Sequence, residues 1–265
     1  MLKPRDIASA IAGSVALEAA TPGKPATVSS WKGSGGLSLA DFIFSVPYLA
    51  MAFSTAVSLP PCERVTKILE VPGQVRSSGI IGKNTIAGYV VLVAPLAPIL
   101  EELSMEGLNA ITSHWFTIRE CLRSIPAGEL IKAVSKGGVR HLHAFVISSN
   151  PTSLWDEYSL SSLYDINCWE VTNGYVVTRE VSRTLSCDAP PHKVVRKIFL
   201  KLASELVDTS VLKSLGTGWW LAAKEALARK KDNALRRGSI NLGSIADLTA
   251  LATAFWVIRC AGGHR

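Results

Sequence analysis

Several signatures are missing from this 265-residue chain, and each gap removes a class of protein. There is no C-x-x-C pair, and the five cysteines, Cys62, Cys121, Cys168, Cys187 and Cys260, are odd in number and widely scattered. Their spacing indicates neither a zinc knuckle nor a disulfide framework, and it points to a reducing, cytoplasmic setting. No H-E-x-x-H pattern joins the histidines, no G-x-x-x-x-G-K-[ST] loop occurs, and no nucleophile elbow supports a serine hydrolase. Zinc-finger and RNA-recognition motifs are also lacking, which disfavours nucleic acid as a partner. The longest apolar run, residues 89–100, is interrupted by Pro95 and Pro98 and is too short for a bilayer, so no membrane span is predicted.

What remains is a globular composition, 48% apolar and 18% charged, with 28 Lys+Arg against 21 Asp+Glu. The surplus of +7 suits phosphate-bearing small molecules, although charge of this size is also common on ordinary surfaces. Ile7, Ile11, Val15 and Ala19 recur every fourth residue, so the start of the chain reads as an amphipathic helix with Glu18 at the edge of its stripe. Residues 21–36 are rich in Gly, Pro, Ser and Thr and read as a long loop. Ser38 and Asp41 form a capping pattern for a second helix reaching Ala56, and residues 58–83 read as an irregular connection. A third, buried helix begins at Asn84, although the run at residues 89–93 would suit a strand by propensity alone. Helical spacing continues over 116–123, 127–136, 155–163, 169–185, 192–207, 217–232 and 244–260. Residues 141–148 read as a short strand or a loop. The prediction is one all-α domain over residues 1–265, a helical bundle of about ten helices.

Four groups carry candidate chemistry. Asn241-Leu242-Gly243-Ser244, followed by Asp247, opens the last helix; Ser244 and Asp247 can form a capping box, or the helix start can hold phosphate and the carboxylate Mg²⁺. Asn84, Thr85 and Gly88 open the buried third helix, where Gly88 permits close approach of a neighbour. Asp208 can cap a short helix that ends at Gly216 and carries Lys213, or it can serve as a metal ligand near a phosphate partner. Arg229, Lys230, Lys231, Arg236 and Arg237 form a basic cluster that reads mainly as a solvated helix end.

Taken in order, Glu18 with Lys24-Pro25, Ser38-Leu39-Ala40-Asp41-Phe42, Asn84-Thr85-x-x-Gly88, Asp208-Thr209 and Asn241-x-Gly243-Ser244-x-Ala246-Asp247-Leu248 resemble the triphosphoribosyl-dephospho-CoA synthase family. The resemblance extends over nearly the whole chain. It implies an all-helical transferase that joins ATP and 3′-dephospho-CoA with release of adenine. It further implies Glu18, Asp208 and Asp247 as catalytic carboxylates, with Asp208 and Asp247 holding Mg²⁺. Lys24, Asn84, Thr85, Gly88, Lys213, Asn241, Gly243 and Ser244 would bind nucleotide and CoA-like small molecules. The chain departs from the family pattern at Gly23-Lys24-Pro25-Ala26, at Gly35-Gly36 where an acidic residue is expected, at Ser214-Leu215 and at Leu242. These departures leave open a non-catalytic nucleotide- or coenzyme-binding protein that keeps the family fold.

Overall fold

A computed structural model describes residues 2–34, 36–80, 85–136, 149–229, 235 and 240–263. Every regular element among them is helical, as the apolar spacing predicts. The helices are α1 (Pro4–Ala20), α2 (Leu39–Ala56), α3 (Pro61–Leu69), α4 (Val71–Ser77), α5 (Ala87–Val93), a 3₁₀ turn (Ala94–Ile99) and α6 (Leu100–Glu106). They continue as α7 (Asn109–Ser113), α8 (Trp115–Ser124), α9 (Glu129–Lys136), α10 (Leu154–Ser161), α11 (Ile166–Thr172), α12 (Val176–Arg183) and α13 (Pro191–Glu205). The last are α14 (Thr209–Leu215), α15 (Thr217–Ala228) and α16 (Gly243–Gly263).

The apolar helix α16 is the axis of the fold: Ile245, Leu248, Leu251 and Phe255 are fully buried, and α1, α5, α12 and α13 pack around it. On α1 the four-residue stripe Ile7, Ile11, Val15 and Ala19 is buried as its spacing requires. The run at residues 89–93, ambiguous by propensity, is helical because its neighbours are helices on all sides. Its end shows how the breakers downstream are accommodated. Pro95 has no N–H for the Val91 carbonyl, and the 3₁₀ turn frees the Leu92 carbonyl as well. The Tyr158 hydroxyl donates to Val91 O at 2.7 Å and the Tyr175 hydroxyl to Leu92 O at 2.9 Å, so both acceptors are satisfied inside the core.

The structure corrects several sequence expectations. Residues 58–83 contain α3 and α4, because Pro61 and Pro72 sit in first turns where a missing N–H costs nothing. The expected helix over 169–185 is split: Gly174 and Tyr175 adopt φ of 70° and 60°, which ends α11 and restarts the chain as α12. Four cysteines are paired, Cys62–Cys121 and Cys187–Cys260, and Cys168 is free and buried. Partners 59 and 73 residues apart leave no spacing signature, so the cysteine argument for a reducing compartment loses its basis. Three stretches, Leu39–Ala56, Ala87–Glu106 and Gly243–Gly262, are long and apolar enough by length and composition to cross a membrane, which a count of uninterrupted apolar residues does not show. The latter two lie mostly inside the core, whereas α2 leaves Ile43, Phe44 and Met51 exposed. Arg229 pairs with Glu225 at 2.6 Å, and the other members of the basic cluster, with residues 141–148, lie outside the described residues.

Candidate active site

A cavity of about 180 Å³ opens where the starts of α5, α11 and α16 meet α14 and the loop after α1. Glu18, Thr85, Gly88, Lys213, Asn241, Gly243, Ser244 and Asp247 all line it, so four separate sequence groups converge on one place. Asn84 lies outside the described residues, and Lys24 and Asp208 stand behind the lining.

Gly88 is required by packing. A Cβ there would lie 2.0 Å from Asp247 Oδ2 and 3.0 Å from Asn167 Nδ2, so any side chain would expel the carboxylate from its seat. Asp247 is not the third member of a capping box, as its spacing from Ser244 suggests. Helix α16 begins one residue earlier, and the Asp247 carboxylate instead accepts from Asn167 Nδ2 at 3.1 Å. Burial drives its pKa well above the usual carboxylate range, opposed by the Asn167 amide and reinforced by Glu18, Asp165 and Asp208. Asn167 itself is 4% exposed; its Nδ2 also reaches Gly88 O at 3.4 Å, and its Oδ1 is buried with no hydrogen-bond partner.

The capping task expected of Ser244 and Asp247 falls to Asp208. One carboxylate oxygen accepts from Val211 N at 3.0 Å, starting α14, and the other accepts from Ile245 N at 3.0 Å in the first turn of α16. Full burial raises its pKa to about 6 despite these amides and the nearby Lys213. Ser244 Oγ meets Thr209 Oγ1 at 3.0 Å and Ser210 Oγ at 2.7 Å, closing the same junction.

Two lysine–carboxylate pairs complete the walls. Lys24 Nζ donates to Glu18 Oε1 at 2.6 Å, Thr27 Oγ1 at 3.2 Å and Val28 O at 3.0 Å. Burial raises the Glu18 pKa, and Lys24 opposes that rise by charge and by its hydrogen bond. Lys213 Nζ donates to Asp165 Oδ2, while Asp165 Oδ1 accepts from Asn167 N at 2.9 Å and Cys168 N at 3.2 Å, capping α11. Sequence reasoning missed Asp165, Asn167 and Ser210, all of which line the cavity. An N-cap signal at Asp165 was available, but the helix was expected to begin at Trp169.

Among the described residues, no three His, Cys, Asp or Glu side chains converge as a metal site. Asp208, expected with Asp247 to ligate Mg²⁺, has an amide bonded to each oxygen, so the residues present do not fit a resident Mg²⁺ cage.

Comparison with solved structures finds a protein from Archaeoglobus fulgidus assigned as a triphosphoribosyl-dephospho-CoA synthase, 18% identical, with a TM-score of 0.59. The match covers 86% of this chain and 100% of the other, and at this identity it supports the all-helical fold alone. No curated protein sequence matches. The family profile described as ATP:dephospho-CoA triphosphoribosyl transferase matches residues 4–264. With nearly the whole chain matched, the protein belongs to the CitG family and is a triphosphoribosyl transferase.

Proposed function

We propose that the cavity at the start of α16 carries this transfer, with Glu18 and Asp247 as a base and acid pair and Lys213 as the triphosphate contact. In the reaction a ribose hydroxyl of dephospho-CoA bonds to the anomeric carbon of ATP, the bond from that carbon to adenine breaks, and the triphosphate stays on the transferred ribose. The transition state gains positive charge at the anomeric carbon, as in glycoside transfer, and carboxylates beside it stabilise that charge.

The observation that carries the assignment is the contrast between two carboxyl groups lining one cavity. Burial raises the pKa of both, but Glu18 has the Lys24 ammonium in contact, which opposes the rise and favours its anionic form relative to Asp247. Asp247 has an amide donor and three acidic neighbours, and burial together with those neighbours raises its pKa well above the usual carboxylate range. Carboxyls whose surroundings bias protonation unequally divide acid and base work between them. Glu18 therefore takes the proton from the attacking hydroxyl, and Asp247 gives one to the departing purine. Asn167 keeps the Asp247 oxygen in place and is a positioning residue.

At about 180 Å³ the cavity is smaller than the roughly 300–1,000 Å³ typical of a ligand site, so it encloses the reacting riboses and leaves the rest of each nucleotide outside. Mg²⁺ enters with the phosphates of ATP as part of the substrate. The test is adenine release from ATP and dephospho-CoA by the intact protein and by Glu18→Gln. Adenine formation that needs both substrates and is lost in the variant supports the assignment; full turnover in Glu18→Gln removes Glu18 from the chemistry.

A further inference from the structure

The far end of α16 lines a second pocket, of about 340 Å³. Ile258 lies eleven residues beyond Asp247 on the same helix, about 16 Å at the rise of an α-helix, so this pocket is separate from the catalytic cavity. Two guanidinium groups line it, Arg183 from α12 and Arg259 from α16, and no carboxylate pairs with either among the described residues. Arg259 donates one N–H to the Leu185 carbonyl, while its Nε is buried without a hydrogen-bond partner. Among the described residues Arg183 reaches only Asn109 Oδ1, at 3.5 Å, the outer limit of a hydrogen bond. Arg179, one turn earlier on α12, stands outside the lining and donates to Gly174 O and Thr112 Oγ1; burial and Arg183 lower its pKa and Glu170 opposes them. The acid lining the pocket is Glu106, and its Oε1 is held by His114 at 3.0 Å.

An unpaired buried guanidinium N–H costs stability, and an oxyanion held by Arg183 and Arg259 supplies the counter-charge that neither arginine finds in the pocket lining. Guanidinium forks match phosphate and carboxylate oxygens two at a time. Leu2, Leu103, Leu108 and Ile258 give part of the remaining wall an apolar surface, beside the polar Ser104 and Asn109, and this mixture suits an organic body carrying the anion. We propose that this pocket is a second ligand site, binding a small organic molecule that presents a phosphate or carboxylate oxyanion to Arg183 and Arg259.

Phenyl phosphate is the probe, titrated calorimetrically into the intact protein, with benzoate as a competing carboxylate. Lys213→Ala disables the expected anion contact of the catalytic cavity. Binding should persist in Lys213→Ala, weaken by about tenfold or more in Arg183→Gln, and be displaced by benzoate. Arg259→Gln should abolish it, but Arg259 also holds the Leu185 carbonyl beside the Cys187–Cys260 disulfide, so the exposed Arg183 gives the decisive variant. Absence of binding, binding unchanged in Arg183→Gln, or binding lost in Lys213→Ala would overturn the proposal.

Discussion

Lys24 and Lys213 each pair with a carboxylate beside the catalytic cavity, yet their surroundings assign them different work. The Lys24 side chain is 0% exposed, and its ammonium donates to Glu18, Thr27 and Val28, which uses all three of its hydrogens. It also lies 5.7 Å from the Phe199 ring centroid, so its remaining surface is covered. Lys213 is 18% exposed, lines the cavity and donates to Asp165, leaving part of the ammonium toward the space a ligand would fill. A sequence shows two lysines beside family-like motifs. Only the accounting of donors separates the lysine that builds the site from the one that meets substrate.

The most severe way to break this comparison is Lys24→Met. Removing one partner of a buried ion pair costs about 3–5 kcal/mol, because Glu18 would be left buried without its cation. Urea unfolding should show that loss, and a stability within about 1 kcal/mol of the parent would return Lys24 to the ligand-binding role that the family resemblance implies. Asp247→Asn tests the opposite wall. A buried carboxyl whose pKa is driven upward gives up little charge on becoming an amide of the same shape, so folding should change little while adenine release falls about 10²–10⁴-fold, the usual worth of a general acid. Equal losses of stability and activity would make Asp247 structural.

Glu18 has a cation and Asp208 has none in contact, and pH distinguishes the two situations. The folded pKa of Asp208 is raised to about 6, so the folded protein holds this proton more tightly than the unfolded chain does. Its contribution is therefore favourable at low pH and is lost as pH rises from about 4 through 6, amounting to about 3 kcal/mol. Glu18 and Asp247 are shifted in the same direction. The difference in unfolding free energy between pH 4.5 and 7.5 should shrink in Asp208→Asn by about 2 kcal/mol, the part of the linkage that falls within that interval. A pH response identical to that of the parent would show that Asp208 is not the group titrating.

The helices were largely legible because their signal is local: the four-residue stripe of α1 and the Ser38–Asp41 pattern of α2 need no distant partner. The disulfides, the amide that holds Asp247 and the double cap by Asp208 were not, since each joins residues far apart in the chain. Ser244 and Asp247 have the spacing of a capping box, but Asp208 reaches the Ile245 amide from another element and makes that local solution unnecessary. Convergence of Glu18, Thr85, Gly88, Lys213 and the Asn241–Ser244 group was expected only through the family resemblance, and the lining of one cavity supplies its physical basis.

Lys213→Ala carries the smallest expected effect and bears most directly on the contrast between the lysines. Its pair with Asp165 retains some solvent exposure, and Asp165 keeps the Asn167 and Cys168 amides as partners after the lysine is gone. Stability should therefore fall by no more than about 1 kcal/mol. If the ammonium meets the triphosphate in ground state and transition state alike, KM for ATP rises by about 10–100-fold and kcat holds. A fall in kcat with KM unchanged would mean that Lys213 acts only as charge develops in the transition state. An unchanged KM and kcat would mean that Lys213, like Lys24, serves its carboxylate alone.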